Sequence, residues 1–188
     1  MTALQRAFLA IVPPAEVLDA IDGLLERSKA SRYAWTRRDQ WHVTVQFVGR
    51  VDDAEALAAA LAEPIAACAP MELRVRGGGA FPQARKAQVF WLGVEGADAL
   101  AALHAEIVVA AAGFLARRDR VAFHAHLTLA RLKRATDLRG DVDALDGVAV
   151  GPAWTVTELL LLESETRPTG AVYREAARLP LEGDASTV

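Results

Sequence analysis

Cys68 is the one cysteine among 188 residues, so a disulfide scaffold is excluded, and the count suits a reducing compartment. Lysine is nearly as scarce: Lys29, Lys86 and Lys133 stand against eighteen arginines, and the net charge is −3. A protein that coats duplex nucleic acid would normally be strongly basic, so that class is set aside. The arginine bias suits phosphate recognition, because the guanidinium is a planar fork, but genomic base content can produce the same bias. Long apolar runs are missing too: the Ala-rich stretches reach about 10 residues before a charge interrupts them, too short for a bilayer. The N-terminus has neither the basic region nor the apolar core of a signal peptide. No Gly/Ser/Pro-rich linker divides the chain. The expectation is one cytoplasmic domain over residues 1–188, with no membrane association and a monomeric state.

What is present is enough apolar residue, 53%, to rule out intrinsic disorder and fill a sizeable core. Leu4 to Val12 reads as a strand ended by Pro13-Pro14, and Val17, Leu18, Ile21, Leu24 and Leu25 give helical spacing over Ala15–Ala30. Trp41 to Gly49 alternates as a strand, and Asp52-Asp53 can cap an Ala-rich helix from Ala54 to about Cys68, with Pro64 as its kink or end. Met71 to Arg76 alternates again and Gly77-Gly78-Gly79 is expected to break it as a turn. Strands follow over Ala87–Val94 and Val121–Leu132, around a helix from Ala97 to about Ala116. A short helix over Asp137–Leu145 and strands over Trp154–Glu163 and Tyr173–Leu181 close the chain. This order is mixed α+β with antiparallel strands, and the strand–helix pattern recurs in the second half.

One internal repeat carries chemistry. His42-Val43-Thr44-Val45 and His126-Leu127-Thr128-Leu129 share the pattern His-apolar-Thr-apolar. With ten threonines and four histidines in the chain, two such matches arise by chance on the order of once in a thousand, treating positions as independent. On a strand, alternation puts His42, Thr44 and Gln46 on one face and sends Val43, Val45 and Phe47 into the core. His126 and Thr128 likewise share a face, each imidazole about 7 Å from its hydroxyl along the strand. Two imidazoles flanking one phosphorus can serve as general acid and general base, and two hydroxyls can donate to non-bridging oxygens. Such a site needs no metal and no cofactor.

These residues resemble the 2H phosphoesterases, specifically the bacterial and archaeal RNA 2′,3′-cyclic phosphodiesterases, also called 2′-5′ RNA ligases. The resemblance extends over nearly the whole chain: Arg6–Ile11 is similar to the first strand, Trp41–Gly49 to the first motif, Phe81-Pro82 with Val89–Val94 to the middle segment. Phe123–Arg131 is similar to the second motif, and Leu162-Glu163-Ser164, with Tyr173 beyond, to the closing strand. Ala125 departs from the proline usual before the second histidine. The resemblance implies two pseudo-symmetric lobes, each an antiparallel sheet with helices packed outside, around a central cleft. It also implies that His42 and His126 are catalytic, that Thr44, Thr128 and Arg131 bind the phosphate, and that the partners are RNA ends or nucleotides carrying a 2′,3′-cyclic phosphate. It places His42 beside the departing 3′-oxygen as acid and His126 beside the water as base. Simple alternation turns Arg131 away from His126, so its assignment requires a bulge or the strand end.

Other readings compete. His124 shares a face with His126, and His-x-His is a metal-ligand spacing, so His42, His124 and His126 could hold a metal, although no cysteine or carboxylate in the motifs completes the set. His124 otherwise reads as a rim residue, and His104 as structural. Trp35, Trp41, Trp91 and Trp154 could stack a base, but Trp91 reads as core. Arg117-Arg118-x-Arg120 and Arg131-x-Lys133-Arg134 could line an RNA end or be ordinary surface. Joining of RNA ends at the same site, and a non-catalytic nucleotide-binding module, are the alternatives to hydrolysis.

Overall fold

A computed structural model describes residues 2–27, 33–115, 122–167 and 170–184. Eight strands and four α-helices follow in the order β1 (Leu4–Ile11), α1 (Ala15–Arg27), β2 (Val43–Val51), α2 (Ala54–Ala66), β3 (Met71–Phe81), β4 (Ala87–Glu95), α3 (Asp98–Ala110), β5 (His126–Thr136), α4 (Arg139–Asp143), β6 (Trp154–Val156), β7 (Glu158–Arg167) and β8 (Gly170–Pro180). The strands are ordered β6-β3-β4-β5-β2-β1-β7-β8, and every pairing is antiparallel. The expected α+β architecture is therefore present, with its two lobes as two four-stranded halves of one sheet order. They meet between β2 and β5, where Val43 pairs with Leu127. The units β1-α1-β2 and β4-α3-β5 correspond: each is a pair of antiparallel neighbours separated by a helix, and each ends on a motif strand.

The helices form where apolar residues repeat at three and four. In α2, Leu57, Leu61 and Ile65 are buried, as are Leu100, Leu103 and Ile107 in α3, and each fully buried side chain of this size contributes about 1.5–3 kcal/mol. The Asp53 carboxylate caps α2 as expected, accepting from the amides of Glu55 and Ala56 at 3.1 Å. Pro64 sits inside the last turn of α2, which runs on to Ala66. Among the described residues, no helix is long and apolar enough to cross a membrane.

Three expectations about element limits fail. The stretch Trp154–Glu163 is not one strand: β6 ends at Val156 and pairs with β3, whereas β7 begins at Glu158 and pairs with β1 and β8. Gly77-Gly78-Gly79 is not a turn: β3 continues through it to Phe81, absorbing a register shift between Val75 and Gly78. A glycine is required at 79 because the Trp91 ring of the neighbouring strand lies across it, only 2.2 Å from where a Cβ would be. The third helix stops at Ala110 rather than near Ala116, and β5 begins at His126. The arginines at 117, 118 and 120 lie outside the described residues.

Candidate active site

The two tetrapeptides flank the seam. Antiparallel register continued from Val43–Leu127 sets His42 across from Thr128 and Thr44 across from His126, so the imidazoles occupy opposite corners of a four-residue patch. All four side chains, with Arg131, line one cavity of about 560 Å³. Among the described residues its lining includes two arginines, Arg6 and Arg131, and no carboxylate, which suits an anion.

Each imidazole is oriented in the same way. His42 Nδ1 donates to the Gln40 carbonyl at 2.8 Å, and His126 Nδ1 donates to the His124 carbonyl at 2.7 Å. A carbonyl can only accept, so both neutral rings carry their proton on Nδ1 and keep the Nε2 lone pair for chemistry. Aromatic rings hold them in place. His42 lies between Phe8 and the edge-on Tyr173, both with centroids at 5.0 Å. His126 lies against Phe81 at 4.9 Å and Trp91 at 5.9 Å. Trp91 is thus not core but a half-buried support on the cleft side, and it also meets His124 at 4.7 Å.

Burial in this wall pushes His42 down from 6.5 to about 4, and the positive charges of Arg131 and His126 add to the effect, while the Gln40 hydrogen bond opposes it. His126 is lowered for the same leading reason, with His124 and Arg131 contributing. Tyr173 is raised by burial.

Two bulges decide which residues share the cleft. In β5, Trp91 pairs with Thr128 and Phe90 with Ala130, leaving Leu129 unpaired, and this extra residue reverses the alternation. Arg131 therefore comes round to the cleft, as its assignment required. Thr36 clamps the bulge: its amide donates to the Leu129 carbonyl at 2.7 Å, and its hydroxyl lies 2.9 Å from the carbonyls of both Thr128 and Leu129. The same hydroxyl accepts from the indole of buried Trp41 at 3.0 Å, so the residue preceding His42 is tied to the strand carrying His126. Lys133 and Arg134 are exposed farther along β5 and do not line the cavity.

The matching bulge in β2 lies between Thr44, which pairs with Ala10, and Gln46, which pairs with Leu9. Here the expected alternation is wrong after Val45. Gln46 is buried on the core side, its Oε1 3.0 Å from His104 Nε2 of α3, and this gives His104 the structural role expected of it. Phe47, expected in the core, is turned out into the cavity. Tyr173, Gln40 and Arg6 also line the cavity. Neither Gln40 nor Arg6 was singled out as a site residue from the sequence: Gln40 stands two residues before His42, its Nε2 donating to the Ala171 carbonyl at 2.7 Å, and Arg6 is brought to the cavity by the pairing of β1 with β2 and β7. Of the tryptophans, Trp41 and Trp154 are buried and Trp35 packs on Tyr33 and Phe90. No three His, Cys, Asp or Glu side chains among the described residues converge as metal ligands.

Residues 13–168 match the 2′-5′ RNA ligase superfamily. The chain belongs to that superfamily. Among its relatives is the RNA 2′,3′-cyclic phosphodiesterase of Aeropyrum pernix, 33% identical over 144 residues, which cover 72% of this chain and 79% of the relative. The enzyme of the same description from Methanothermobacter thermautotrophicus is 28% identical over 179 residues, 90% of this chain and 95% of the relative. Of solved structures, a Thermus thermophilus protein superposes with a TM-score of 0.80 at 25% identity, covering 95% of this chain and 99% of that one. E. coli LigT complexed with 3′-AMP superposes with a TM-score of 0.74 at 25% identity, covering 95% of this chain and 98% of that one. The 2H phosphoesterase resemblance of the two tetrapeptides thus extends to this superfamily member as a whole.

Proposed function

We propose that this protein hydrolyses 2′,3′-cyclic phosphates at RNA or nucleotide ends to 2′-phosphomonoesters, with His42 and His126 as the acid–base pair. The observation that carries the reading is the paired Nδ1 tether, which fixes two Nε2 atoms at opposite corners of one cationic cavity. Relatives described as RNA 2′,3′-cyclic phosphodiesterases support the substrate class.

In the reaction, water attacks phosphorus while His126 Nε2 removes its proton. The phosphorus–O3′ bond breaks and His42 Nε2 delivers a proton to the departing oxygen, leaving a free 3′-hydroxyl and a 2′-phosphate. Thr44 and Thr128 donate to the non-bridging oxygens, and Arg131 offsets the charge that builds on them. Histidines held below their ordinary value serve directly as bases. The acid needs its proton: an anionic phosphate beside Arg131 opposes the smaller, charge-based part of the lowering of His42 and His126, whose leading cause is burial.

The deciding experiment incubates purified protein, with chelator, with an oligonucleotide ending in a 2′,3′-cyclic phosphate. A 2′-phosphomonoester product is expected; no turnover, or a 3′-phosphate product, rejects the reading. The superfamily description favours testing one further acceptor: a 5′-hydroxyl in place of water would give a 2′-5′ linkage by the same proton transfers.

A further inference from the structure

The carbonyl that accepts the His42 Nδ1 proton belongs to Gln40, in a single turn over Arg38–Gln40 that contributes no residue to the core. Packing alone does not aim this carbonyl; hydrogen bonds do. The Gln40 main-chain amide donates to the Arg37 carbonyl at 2.8 Å, and that of Trp41 to the Arg38 carbonyl at 3.2 Å. On its Trp41 side the peptide is fixed by the buried indole, bonded to the Thr36 hydroxyl at 3.0 Å. On its other side it is fixed by the Gln40 side chain, which uses both ends of its carboxamide. Nε2 donates to the Ala171 carbonyl of β8 at 2.7 Å, and Oε1 accepts from the Arg37 main-chain amide at 3.2 Å.

The start of β8 is shaped to receive this carboxamide. Gly170 has φ +116°, and a Cβ there would stand 3.2 Å from Gln40 Nε2. Glycine therefore serves twice, permitting the backbone conformation and leaving room for the amide. The tether of His126 is braced differently: His124, whose carbonyl holds it, rests its own ring against Trp91 at 4.7 Å and Phe81 at 5.8 Å. A hydrogen bond weakens steeply as its angle closes. Without the side-chain bridge the Gln40 peptide can rotate, the Nδ1–H···O bond opens, and His42 is free to carry its proton on Nε2 instead.

We infer that Gln40 is a positioning residue: by bridging Arg37 to β8, its side chain aims the carbonyl that fixes the tautomer and ring orientation of His42. The inference rests on the acid–base reading of His42 and adds the group that keeps its Nε2 turned to the cleft. It also makes the edge strand β8 part of the site through one side chain, although β1 and β7 stand between β8 and β2 in the sheet.

The test is Gln40→Met, which keeps the length of the side chain and removes both of its hydrogen bonds. The first readout is the nitrogen NMR spectrum of the histidines at neutral pH, where His42 carries no charge. Wild type should hold the His42 proton on Nδ1, and Gln40→Met should shift the ratio of tautomers towards Nε2 by about 2- to 10-fold, with His126 unmoved. The second readout is turnover of adenosine 2′,3′-cyclic phosphate and of its analogue with sulfur at the bridging 3′ position. With the oxygen substrate kcat should fall by about 10- to 100-fold while KM stays within a few-fold. With the sulfur analogue Gln40→Met should respond as His42→Ala does. An unshifted His42 spectrum, an unchanged kcat, a loss that falls on KM, a response to sulfur other than that of His42→Ala, or loss of the fold in denaturant unfolding overturns the inference. If wild type turns over neither substrate, the hydrolase reading fails by itself. The spectrum then decides alone: a shifted His42 supports the positioning role, and an unshifted one overturns it.

Discussion

Val43 and Leu127, both fully buried, pair across the seam between the two halves of the sheet. Everything the site needs is placed relative to that pair, since each residue is followed one step later by a threonine and preceded by a histidine. Leu127→Ala should cost about 2–5 kcal/mol of stability through the cavity it leaves. Denaturant unfolding measures this, and turnover of the folded fraction should fall as well, because the two motif strands lose their shared anchor. Unchanged stability would show that the seam is held elsewhere.

Replacing His42 or His126 by Ala should lower turnover by about 10²–10⁴-fold, the ordinary weight of acid or base catalysis, and the double variant should lose far less than the product of the two. Roles are separated by a cyclic substrate with sulfur at the bridging 3′ position. A thiolate departs without much need of a proton, so this substrate should rescue His42→Ala and leave His126→Ala impaired. The reverse pattern would exchange the two roles.

Burial of His42 has a consequence for stability. Its ordinary value is 6.5 and its value in the fold is about 4, so between those limits the unfolded chain binds the proton more readily. The stabilisation is full above about pH 6.5, declines as pH falls towards 4, and stays flat below. Lowered His126 adds to the decline with the same sign. Denaturant unfolding at several pH values should show this loss in wild type and a shallower one in His42→Asn; equal slopes would deny the burial effect.

Affinity for RNA ends should depend on few charges. Net charge is −3 and the cavity holds only Arg6 and Arg131 as cations among the described residues, so the slope of log affinity against log salt should correspond to about two to four phosphate contacts. Arg131→Ala should remove about one of them. A slope that grows with RNA length would reveal a longer binding face.

Activity should survive EDTA, since two imidazoles, two hydroxyls and a guanidinium supply acid, base and charge. His124→Ala should cost much less than His126→Ala, because His124 serves its neighbour through a backbone carbonyl that the substitution keeps. Loss with chelator that Zn²⁺ or Mn²⁺ restores would bring forward the His42, His124 and His126 metal site.

The sequence by itself determined the elements and the chemical groups. Apolar spacing placed α1, α2 and α3 within a few residues apart from the far end of α3, Asp53 announced its helix, and the repeated His-apolar-Thr-apolar pattern marked both motif strands. Those are local properties, set by 3.6- and 2-residue periods and by side chains acting on adjacent backbone. What tertiary structure decided was where alternation stops. A bulge is a mismatch in length between two paired strands, so Leu129 becomes an extra residue only against β4, and Val45 only against β1. From those mismatches follow the burial of Gln46 against His104, the exposure of Phe47 and the arrival of Arg131 in the cleft. The run Gly77-Gly78-Gly79 reads as a turn until Trp91 lies across it; the ring needs a strand without side chains beneath it, and that need exists only once β3 and β4 are side by side.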